Sequence, residues 1–354
     1  MQTKIIKIDP AQIEEKKIMI AVEVLSKGGL VIVPTDTVYG IIANSHNPDA
    51  VERLYAVKQR PSNKSFTIVI ERKERIEEFN KNLNRLVYKL IDKFWPGPLT
   101  VVIPDRKNNK TLGLRMPNYP FLLKLISRLD FPLCCPSANL SGKKPPRTLQ
   151  EALIDLDGKV DLAIDGADTP LGVESTIVDL SNESFSILRE AAIPAKEVEE
   201  ALNKKIVLFV CTGNSCRSVM AEGLLKKKLE QMGKNNVEVI SAGIAMIDGL
   251  RPTFETLQLL KEEGIDFSQH VSQRITPLLI KKADLILVME SIHEDKVKEL
   301  VPSAENNLFL LKEFAKINKG GNLEIPDPIG RSFGEYKIIF NIIKEAVERI
   351  ANIL

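Results

Sequence analysis

The amino-acid sequence predicts an α/β fold in both halves of the chain. Short runs of β-branched and other apolar residues recur along it, and stretches with an apolar period of three to four residues separate them. This alternation is typical of sheets whose strands are connected by helices. A chain of 354 residues also exceeds one ordinary core, because domains average about 150 residues, so we expect two domains.

The first half combines amphipathic helical stretches with strand-like runs. The clearest helical stretches are AQIEEKKIMIAVEVLSKG and NLNRLVYKLIDKFW. The strand-like runs are GLVIVPTD, FTIVIE, LTVVIPD, LAIDG and STIVDL. We therefore expect an α/β domain up to the point near residue 190 where the pattern changes.

A domain boundary is predicted at residues 203 and 204. Before it, the strand-like SFSILRE gives way to a charged helical stretch, AAIPAKEVEEALNKK. After it, IVLFVC has the continuous apolar character of a buried parallel strand. We therefore assign residues 1–203 and 204–354 to separate domains.

The second half alternates more regularly and predicts a doubly wound parallel sheet. Its runs are IVLFV, SVMAEGLLKKKLEQM, VEVISAG, PTFETLQLLKEEG, ADLILVME and the closing EYKIIFNIIKEAVERIANIL. In the closing helix, apolar side chains share one face, namely Tyr336, Ile339, Phe340, Ile343, Val347 and Ile350. Such sheets bind ligands at the carboxyl ends of their strands, which directs attention to the residues after IVLFV.

Composition disfavours several classes of protein. The net charge is +2, and Lys plus Arg nearly balance Asp plus Glu in both halves, at 28 to 27 in residues 1–203 and 21 to 20 in residues 204–354. A broad nucleic-acid-binding face is therefore not expected.

No apolar run approaches the roughly 18 residues of a membrane span, so a cytoplasmic protein without membrane contact is expected. The four cysteines show no zinc-ligand spacing, which leaves reactive or buried thiols.

The sequence CTGNSCRS follows the first strand of the second half and leads directly into a helix. A Cys-x5-Arg spacing alone is weak evidence, but its place between a buried strand and a helix makes it informative. Gly213 is expected to supply an unusual backbone angle, and Ser218 to cap the helix. Inward-facing N–H groups and the helix dipole at such a loop favour a phosphate dianion and a thiolate.

This loop predicts phosphoryl transfer through a cysteine nucleophile. Cys211 is the predicted nucleophile, and the planar fork of Arg217 is expected to bind phosphate oxygens as charge develops. The leaving group also needs a proton, and Asp327 in IPDPIGRSFGEY is the candidate general acid. Asp327 equally fits a turn before Pro328, and both interpretations stay open.

These residues resemble the low-molecular-weight protein tyrosine phosphatase family over residues 205–354. The resemblance is carried by VCTGNSCRS, the SAG that begins at Ser241, the strand ADLILVME and the Asp-Pro pair at Asp327. It implies a cysteinyl-phosphate intermediate, a phosphorylated protein substrate, no cofactor, and a reversible Cys211–Cys216 disulfide on oxidation. The residues it implies as supports of the loop are Thr212, Gly213, Asn214, Ser215, Cys216, Ser218 and Ser241.

Departures from the family pattern affect the predicted substrate. Ile329 and Gly330 follow the Asp-Pro pair, where phosphotyrosine-specific members usually place aromatic residues. Ser215 stands where those members commonly carry a bulky aliphatic side chain, and a small hydroxyl residue there looks more like the bacterial protein-arginine phosphatase branch. We therefore expect phosphoarginine to be favoured over phosphotyrosine. Arsenate reduction is disfavoured, because no cysteine follows Cys216 to form a relay.

Polar clusters interrupt the apolar strands of the first half. They are PTDTVYG, KQRPSNK, LRMP, PSANLSG and GVESTIVD, and loops of this kind at strand ends bind phosphorylated ligands. Neither GxxxxGK[ST] nor GxGxxG occurs. Taken singly, Lys58 and Arg60 fit a solvated helix end, and Ser137 and Asn139 fit a capped turn.

Together with FWPGPLT, these clusters resemble the YrdC-like family of threonylcarbamoyl-AMP synthases over about residues 10–200. The resemblance implies a twisted open α/β sheet that binds ATP with Mg²⁺, L-threonine and bicarbonate. It also implies double-stranded RNA binding and a product passed to partner proteins that modify tRNA. Val69 departs from the pattern, since many relatives carry a histidine there. The implied ligands are Lys58, Arg60, Ser137, Asn139 and Arg189 for ATP, and Thr35, Arg115 and Ser175 for threonine.

The alternative is a non-enzymatic chain, in which a nucleotide- or RNA-binding module precedes a phosphoprotein reader. The complete set of Cys211, Arg217 and Asp327 disfavours a reader. A charge of only +1 in the first half, with Trp95 as the single tryptophan, disfavours a dedicated RNA-binding face. We therefore expect an enzyme in each half.

Overall fold

The computed structural model describes residues 2–106, 110–245, 248–317 and 321–354. They form two compact units, Met1–Leu202 and Asn203–Leu354. The division falls one residue before the boundary that we placed between residues 203 and 204.

Within the described residues, the first unit contains a ten-stranded mixed sheet and seven α-helices. The strands are Lys4–Lys7 (β1), Val31–Val33 (β2), Gly40–Asn44 (β3), Ile68–Val69 (β4), Leu99–Asp105 (β5), Lys110–Arg115 (β6), Leu133–Cys134 (β7), Leu162–Asp165 (β8), Thr176–Asp179 (β9) and Ser186–Arg189 (β10). The helices are Glu15–Ser26 (α1), Pro48–Lys58 (α2), Ile76–Phe79 (α3), Arg85–Phe94 (α4), Pro120–Ile126 (α5), Leu149–Leu156 (α6) and Ala195–Asn203 (α7).

The strands of this sheet lie in the order β1-β8-β2-β3-β7-β4-β6-β5-β9-β10. Every run predicted as a strand contains one, and both clear helical stretches form α1 and α4, so the α/β prediction is confirmed. Some strands are very short, and β4 and β7 have only two residues each. The helix α2 ends at Lys58, after which Gln59 adopts a left-handed conformation and turns the chain toward Arg60.

Within the described residues, the second unit contains a four-stranded sheet whose neighbours are all parallel. Its order is β12-β11-β13-β14, which confirms the doubly wound prediction. The strands are Lys205–Cys211 (β11), Val237–Gly243 (β12), Leu285–Val288 (β13) and Leu308–Leu310 (β14), and the helices are Arg217–Gln231 (α8), Phe254–Glu262 (α9), Pro277–Lys282 (α10), Ser291–Leu300 (α11), Leu311–Phe314 (α12) and Phe333–Ile353 (α13).

Alternate residues of β11 enter two different cores. Val207 and Phe209 pack in one cluster with α8 and α13, whereas Ile206 and Leu208 pack in another with α10 and α11. Because successive side chains of a strand point to opposite faces, helices must cover both sides of this sheet. The strand is therefore buried from Ile206 to Cys211, which holds its carboxyl end in place.

The closing helix α13 buries the face that the sequence predicts. All six apolar residues predicted for this face are buried, at Tyr336, Ile339, Phe340, Ile343, Val347 and Ile350. The helix begins with a capping box in which Ser332 and Glu335 bond each other's backbone N–H. Among the described residues, no helix has the length and apolarity that crossing a bilayer requires.

Candidate functional site

The loop between β11 and α8 brings the predicted nucleophile and the predicted phosphate ligand together. Cys211 is the last residue of β11, and Arg217 is the first residue of α8. Both are buried, with 2% and 1% of their surfaces exposed. The thiol Sγ lies 3.0 Å from Ser218 Oγ.

Ser218 does not cap the helix, so this part of the prediction is wrong. Cys216 occupies the N-cap position without a side-chain cap hydrogen bond, and the helix starts at Arg217. A side chain in the first turn points back toward the N-terminus, which brings the Ser218 hydroxyl to the thiol instead. It accepts a hydrogen bond from Asn214 Nδ2 at 3.0 Å and is therefore free to donate to a Cys211 thiolate.

The unusual backbone angle lies at Asn214, not at Gly213, which corrects a second detail. Asn214 has φ 51°, a left-handed conformation that Asn tolerates better than most residues. Its amide donates to Ser218 and to Ser241 Oγ at 2.7 Å, while its Oδ1 accepts from the Gln273 N–H at 2.9 Å. Side-chain hydrogen bonds thus hold the conformation that we assigned to a glycine.

Glycine is required instead at the end of β12. A Cβ atom on Gly243 would lie 2.8 Å from the Thr212 carbonyl oxygen and 3.0 Å from the Asn214 nitrogen. The loop can therefore approach β12 only because residue 243 has no side chain.

Besides the predicted Ser241, polar residues that the sequence analysis missed support this loop. Ser241 Oγ donates to buried Glu222 at 2.5 Å, and Glu222 also pairs with Lys226. His270 Nε2 lies 3.3 Å from the Asn214 carbonyl oxygen. These contacts hold Asn214 on both its side chain and its backbone.

The Arg217 guanidinium is bound by two carboxylates, of which only one was predicted. One terminal nitrogen pairs with Glu290 and donates to the Ile325 carbonyl oxygen at 2.8 Å. The other pairs with Asp327 and donates to Thr212 Oγ1 at 3.1 Å. In the described part of the chain, Nε is the guanidinium nitrogen without a hydrogen bond, so a phosphate that binds this group must use Nε or compete with the carboxylates at the terminal nitrogens.

Asp327 forms the turn that one interpretation predicts, and it also lies beside the thiol loop, where the other interpretation requires it. Its Oδ1 accepts the Ile329 N–H at 3.1 Å, which is the expected turn, and its Oδ2 pairs with Arg217 beside the thiol loop. Asp327 and Glu290 are partly exposed, so both carboxylates can be reached from solvent.

His293 is fully buried behind these groups and was also missed. Its Nε2 lies 3.0 Å from Thr212 Oγ1, and its Nδ1 accepts the Glu290 N–H at 3.0 Å. Burial, together with the nearby Arg217 cation, lowers the pKa of His293 to about 4. The imidazole is therefore neutral at pH 7.

The remaining loop residues line the base and rim. Ser215 is buried, and its carbonyl oxygen accepts the Thr253 N–H at 3.1 Å. Cys216 is a free buried thiol whose Sγ contacts Thr253 Oγ1 at 3.5 Å and Tyr336 Oη at 3.6 Å. Ile329 is 54% exposed beside Asp327.

In the first unit, a cavity of about 160 Å³ gathers most of the predicted ATP and threonine ligands. The predicted residues that line it are Thr35, Arg60, Arg115, Ser137, Ser175 and Arg189. Val69 and Cys135 line it as well, and burial raises the pKa of the Cys135 thiol to about 12.

Lys58 and Asn139 do not line this cavity and instead lie behind it. The Lys58 ammonium donates to the main-chain carbonyl oxygens of Ser137 and Asn139, the latter at 2.7 Å. Lys58 is 2% exposed, and burial lowers its pKa to about 8. The two residues therefore hold the Ser137 segment in place.

Two arginines of the cavity each have a carboxylate partner that the sequence analysis missed. Arg115 pairs with Asp36 and donates to Thr37 Oγ1 at 2.8 Å. Arg189 pairs with Glu174, which lines the cavity, and donates to the Ser175 carbonyl oxygen at 3.0 Å. Asp36 lies in the motif PTDTVYG and Glu174 in the motif GVESTIVD, so their places in these motifs could have marked them as residues of the site.

Comparison with known families matches both units. Residues 23–191 match the Sua5-YciO-YrdC family, described as telomere recombination, and residues 206–354 match the family described as low molecular weight phosphotyrosine protein phosphatase. The threonylcarbamoyl-AMP synthase of Pyrococcus abyssi is 34% identical over 266 residues, covering 72% of this chain and 76% of that protein. The probable low molecular weight protein-tyrosine-phosphatase EpsP of Ralstonia nicotianae is 32% identical over 144 residues, covering 41% of this chain and 92% of that protein.

Other relatives match the first unit. The threonylcarbamoyl-AMP synthase of Bacillus subtilis is 32% identical over 203 residues, covering 55% of this chain and 59% of that protein. The crystal structure of YciO from E. coli matches with a TM-score of 0.51 and 25% identity, covering 55% of this chain and 98% of that chain.

Proposed function

Because the chain belongs to both the Sua5-YciO-YrdC family and the low molecular weight phosphotyrosine protein phosphatase family, we propose that it is a bifunctional enzyme. The first unit synthesises L-threonylcarbamoyl-AMP from ATP, L-threonine and bicarbonate. The second unit dephosphorylates phosphoproteins through a cysteinyl-phosphate intermediate. The observation that carries the second activity is the buried Cys211 thiol, 3.0 Å from Ser218 Oγ, in the same loop as Arg217.

The first activity is supported by the cavity that three arginines line, at Arg60, Arg115 and Arg189. Guanidinium groups bind carboxylates and phosphates with paired donors, which suits the threonine carboxylate and the ATP phosphates. The product requires an N–C bond between threonine and bicarbonate, formed with loss of water, and a bond from the resulting carboxylate oxygen to the α-phosphorus of ATP, formed as pyrophosphate leaves. Holding the reactants in contact supplies most of the rate gain in such a step.

Mg²⁺ would enter the first unit with ATP. Among the described residues, no group of three His, Cys, Asp or Glu side chains is arranged to hold a metal. The phosphates would therefore supply most of its ligands, as is usual for this ion. Glu174 lines the cavity and has a carboxylate of the kind that binds Mg²⁺. Bound there, Mg²⁺ would neutralise part of the negative charge of the triphosphate.

Pyrophosphate release tests the first activity. We expect release from ATP that depends on both threonine and bicarbonate, and its loss in Arg115→Met. A Lys281→Met variant in the second unit is the control and should leave release unchanged. Failure of threonine and bicarbonate to stimulate release would exclude the synthase and leave a nucleotide-binding module.

In the second unit, the Cys211 thiolate attacks phosphorus while backbone N–H groups and Arg217 bind the phosphoryl oxygens. Asp327 donates a proton to the leaving group and then accepts one from the water that hydrolyses the intermediate. This sequence needs Asp327 to release Arg217 when phosphate binds, because the phosphoryl oxygens compete with the carboxylate for the guanidinium.

For the substrate, we propose phosphoarginine ahead of phosphotyrosine. The small hydroxyl of buried Ser215 and the aliphatic Ile329 at the rim support this choice. Wild type, Cys211→Ser and Ser215→Ile are compared on phosphoarginine, phosphotyrosine and p-nitrophenyl phosphate. We expect Cys211→Ser to abolish all three activities, and Ser215→Ile to shift the preference toward phosphotyrosine. An unchanged preference would remove the basis for choosing phosphoarginine.

The partners follow from the two reactions. Threonylcarbamoyl-AMP is passed to proteins that modify tRNA, so tRNA is reached indirectly, and the cytoplasm is the proposed location. Double-stranded RNA binding is tested by titrating the full chain with a labelled duplex at several salt concentrations, because phosphate contacts weaken steeply with salt. Absence of binding would leave the two enzymatic activities intact.

A further inference from the structure

We propose that the Thr212 hydroxyl is a hydrogen-bond donor to the phosphoryl group, held in that role by His293. This inference rests on the proposed phosphatase activity and adds two residues to it. Thr212 follows the nucleophile directly and is exposed at the mouth of the loop. His293 is completely buried beneath it.

The protonation of His293 follows from its two contacts. Nδ1 accepts the backbone N–H of Glu290, so in a neutral ring the proton must be on Nε2. Nε2 faces Thr212 Oγ1 at 3.0 Å and therefore donates to it. The start of α11 fixes the ring, since His293 and Glu290 form a capping box.

The Thr212 oxygen receives a second hydrogen bond from Arg217 at 3.1 Å. A hydroxyl oxygen has two lone pairs, and these two donors occupy both. The hydroxyl hydrogen must then point elsewhere, and within the described residues it makes no hydrogen bond to an acceptor. Because the side chain is exposed beside Arg217, the free hydrogen is directed to the place where phosphoryl oxygens bind.

The arrangement suits a transition state better than a ground state. Donors that are fixed before the reaction cost no reorganisation as charge develops on the phosphoryl oxygens. His293 touches no substrate in this scheme and acts through Thr212, so it is a positioning residue.

The test is a double-mutant cycle in the full chain with p-nitrophenyl phosphate and orthovanadate. We expect Thr212→Val to lower kcat/KM about tenfold and to weaken orthovanadate inhibition in parallel, as loss of one hydrogen bond to a charged group does. Thr212→Ser should recover most of the loss. His293→Gln should lower kcat/KM severalfold alone and have no further effect in the Thr212→Val background.

Several results would overturn the proposal. If the two losses in kcat/KM multiply in the double variant, His293 has a structural role that is separate from Thr212. If kcat/KM is unchanged in Thr212→Val, the Thr212 hydroxyl does not donate to the phosphoryl group. If His293→Gln does not fold, the comparison of Val and Ser at exposed position 212 decides alone. Absence of Cys211-dependent hydrolysis in the parent would instead overturn the phosphatase activity itself.

Discussion

The Cys211 Sγ atom lies 3.0 Å from the Ser218 hydroxyl, which accepts from Asn214 and so has its own hydrogen available for the sulfur. A thiolate is the reactive form of cysteine, and a donor in contact with it stabilises the negative charge. Ser218 thus links the nucleophile to the polar residues that hold the loop.

Replacing Ser218 by alanine removes this donor. We expect kcat for p-nitrophenyl phosphate to fall about 10- to 100-fold, the range for losing a hydrogen bond to a charged group. Alkylation of Cys211 by iodoacetamide at neutral pH, followed by mass spectrometry, should slow as well. Ser303→Ala, at an exposed site in the same unit, is the control, and equal alkylation rates in the two variants would contradict the assignment.

Asp327 and Glu290 both pair with Arg217, but only Asp327 is assigned as the acid. Asp327→Asn should lower kcat by about 10²- to 10⁴-fold for substrates with poor leaving groups and less for good ones, because a general acid matters most when the leaving group is basic. Glu290→Gln serves as the matched control and should not change the dependence on leaving group. A series of aryl phosphates measures both slopes, and identical slopes would contradict the assignment.

The sequence was sufficient for features that depend on local pattern. Apolar periodicity predicted the parallel sheet and the buried face of α13, and the Cys-x5-Arg spacing placed Cys211 and Arg217 at the ends of one strand and one helix. The details that depend on distant partners were missed or wrong. Asn214 takes the left-handed conformation because Gln273 and Ser241 bind its amide, and no local rule reveals those bonds.

Paired charges in the cores were missed for the same reason. Asp36 lies 79 positions from its partner Arg115, and Glu290 lies 73 positions from Arg217. Asp36 appeared as one acidic residue in a polar cluster and Glu290 as the last residue of the strand-like run ADLILVME, and only the fold brings each to its arginine. Lys58 was predicted as an ATP ligand, yet its contacts are with main-chain carbonyl oxygens and it does not line the cavity.

Lys58 and Arg60 should therefore differ in their effects on stability. Lys58→Met leaves the buried carbonyl oxygens of Ser137 and Asn139 without this donor, which should cost about 1–3 kcal/mol in the free energy of unfolding. Arg60→Met alters a half-buried side chain that lines the cavity and should mainly raise the KM for ATP. Urea unfolding followed by Trp95 fluorescence reports the first unit, which contains the single tryptophan. Equal unfolding midpoints for the two variants would contradict the buried role of Lys58.

His293 should make the second unit sensitive to mild acid. The folded state holds its pKa at about 4, below the ordinary 6.5, so the unfolded chain binds a proton first as pH falls. Stability is then complete above pH 6.5 and is lost as pH falls toward 4, by on the order of 3 kcal/mol. The charged groups around the ring are Arg217, Glu290, Asp327 and Glu324, and Arg217 opposes protonation most.

Hydrogen exchange of the β11 amides between pH 4.5 and 7 measures this loss, after correction for the intrinsic pH dependence of exchange. We expect His293→Gln to flatten the acid dependence, because glutamine does not titrate, while His46→Gln, at an exposed site in the first unit, leaves it unchanged. Trp95 fluorescence provides a second control, since the first unit lacks this buried histidine. An acid dependence that persists in His293→Gln would assign the sensitivity to the carboxylates around Arg217.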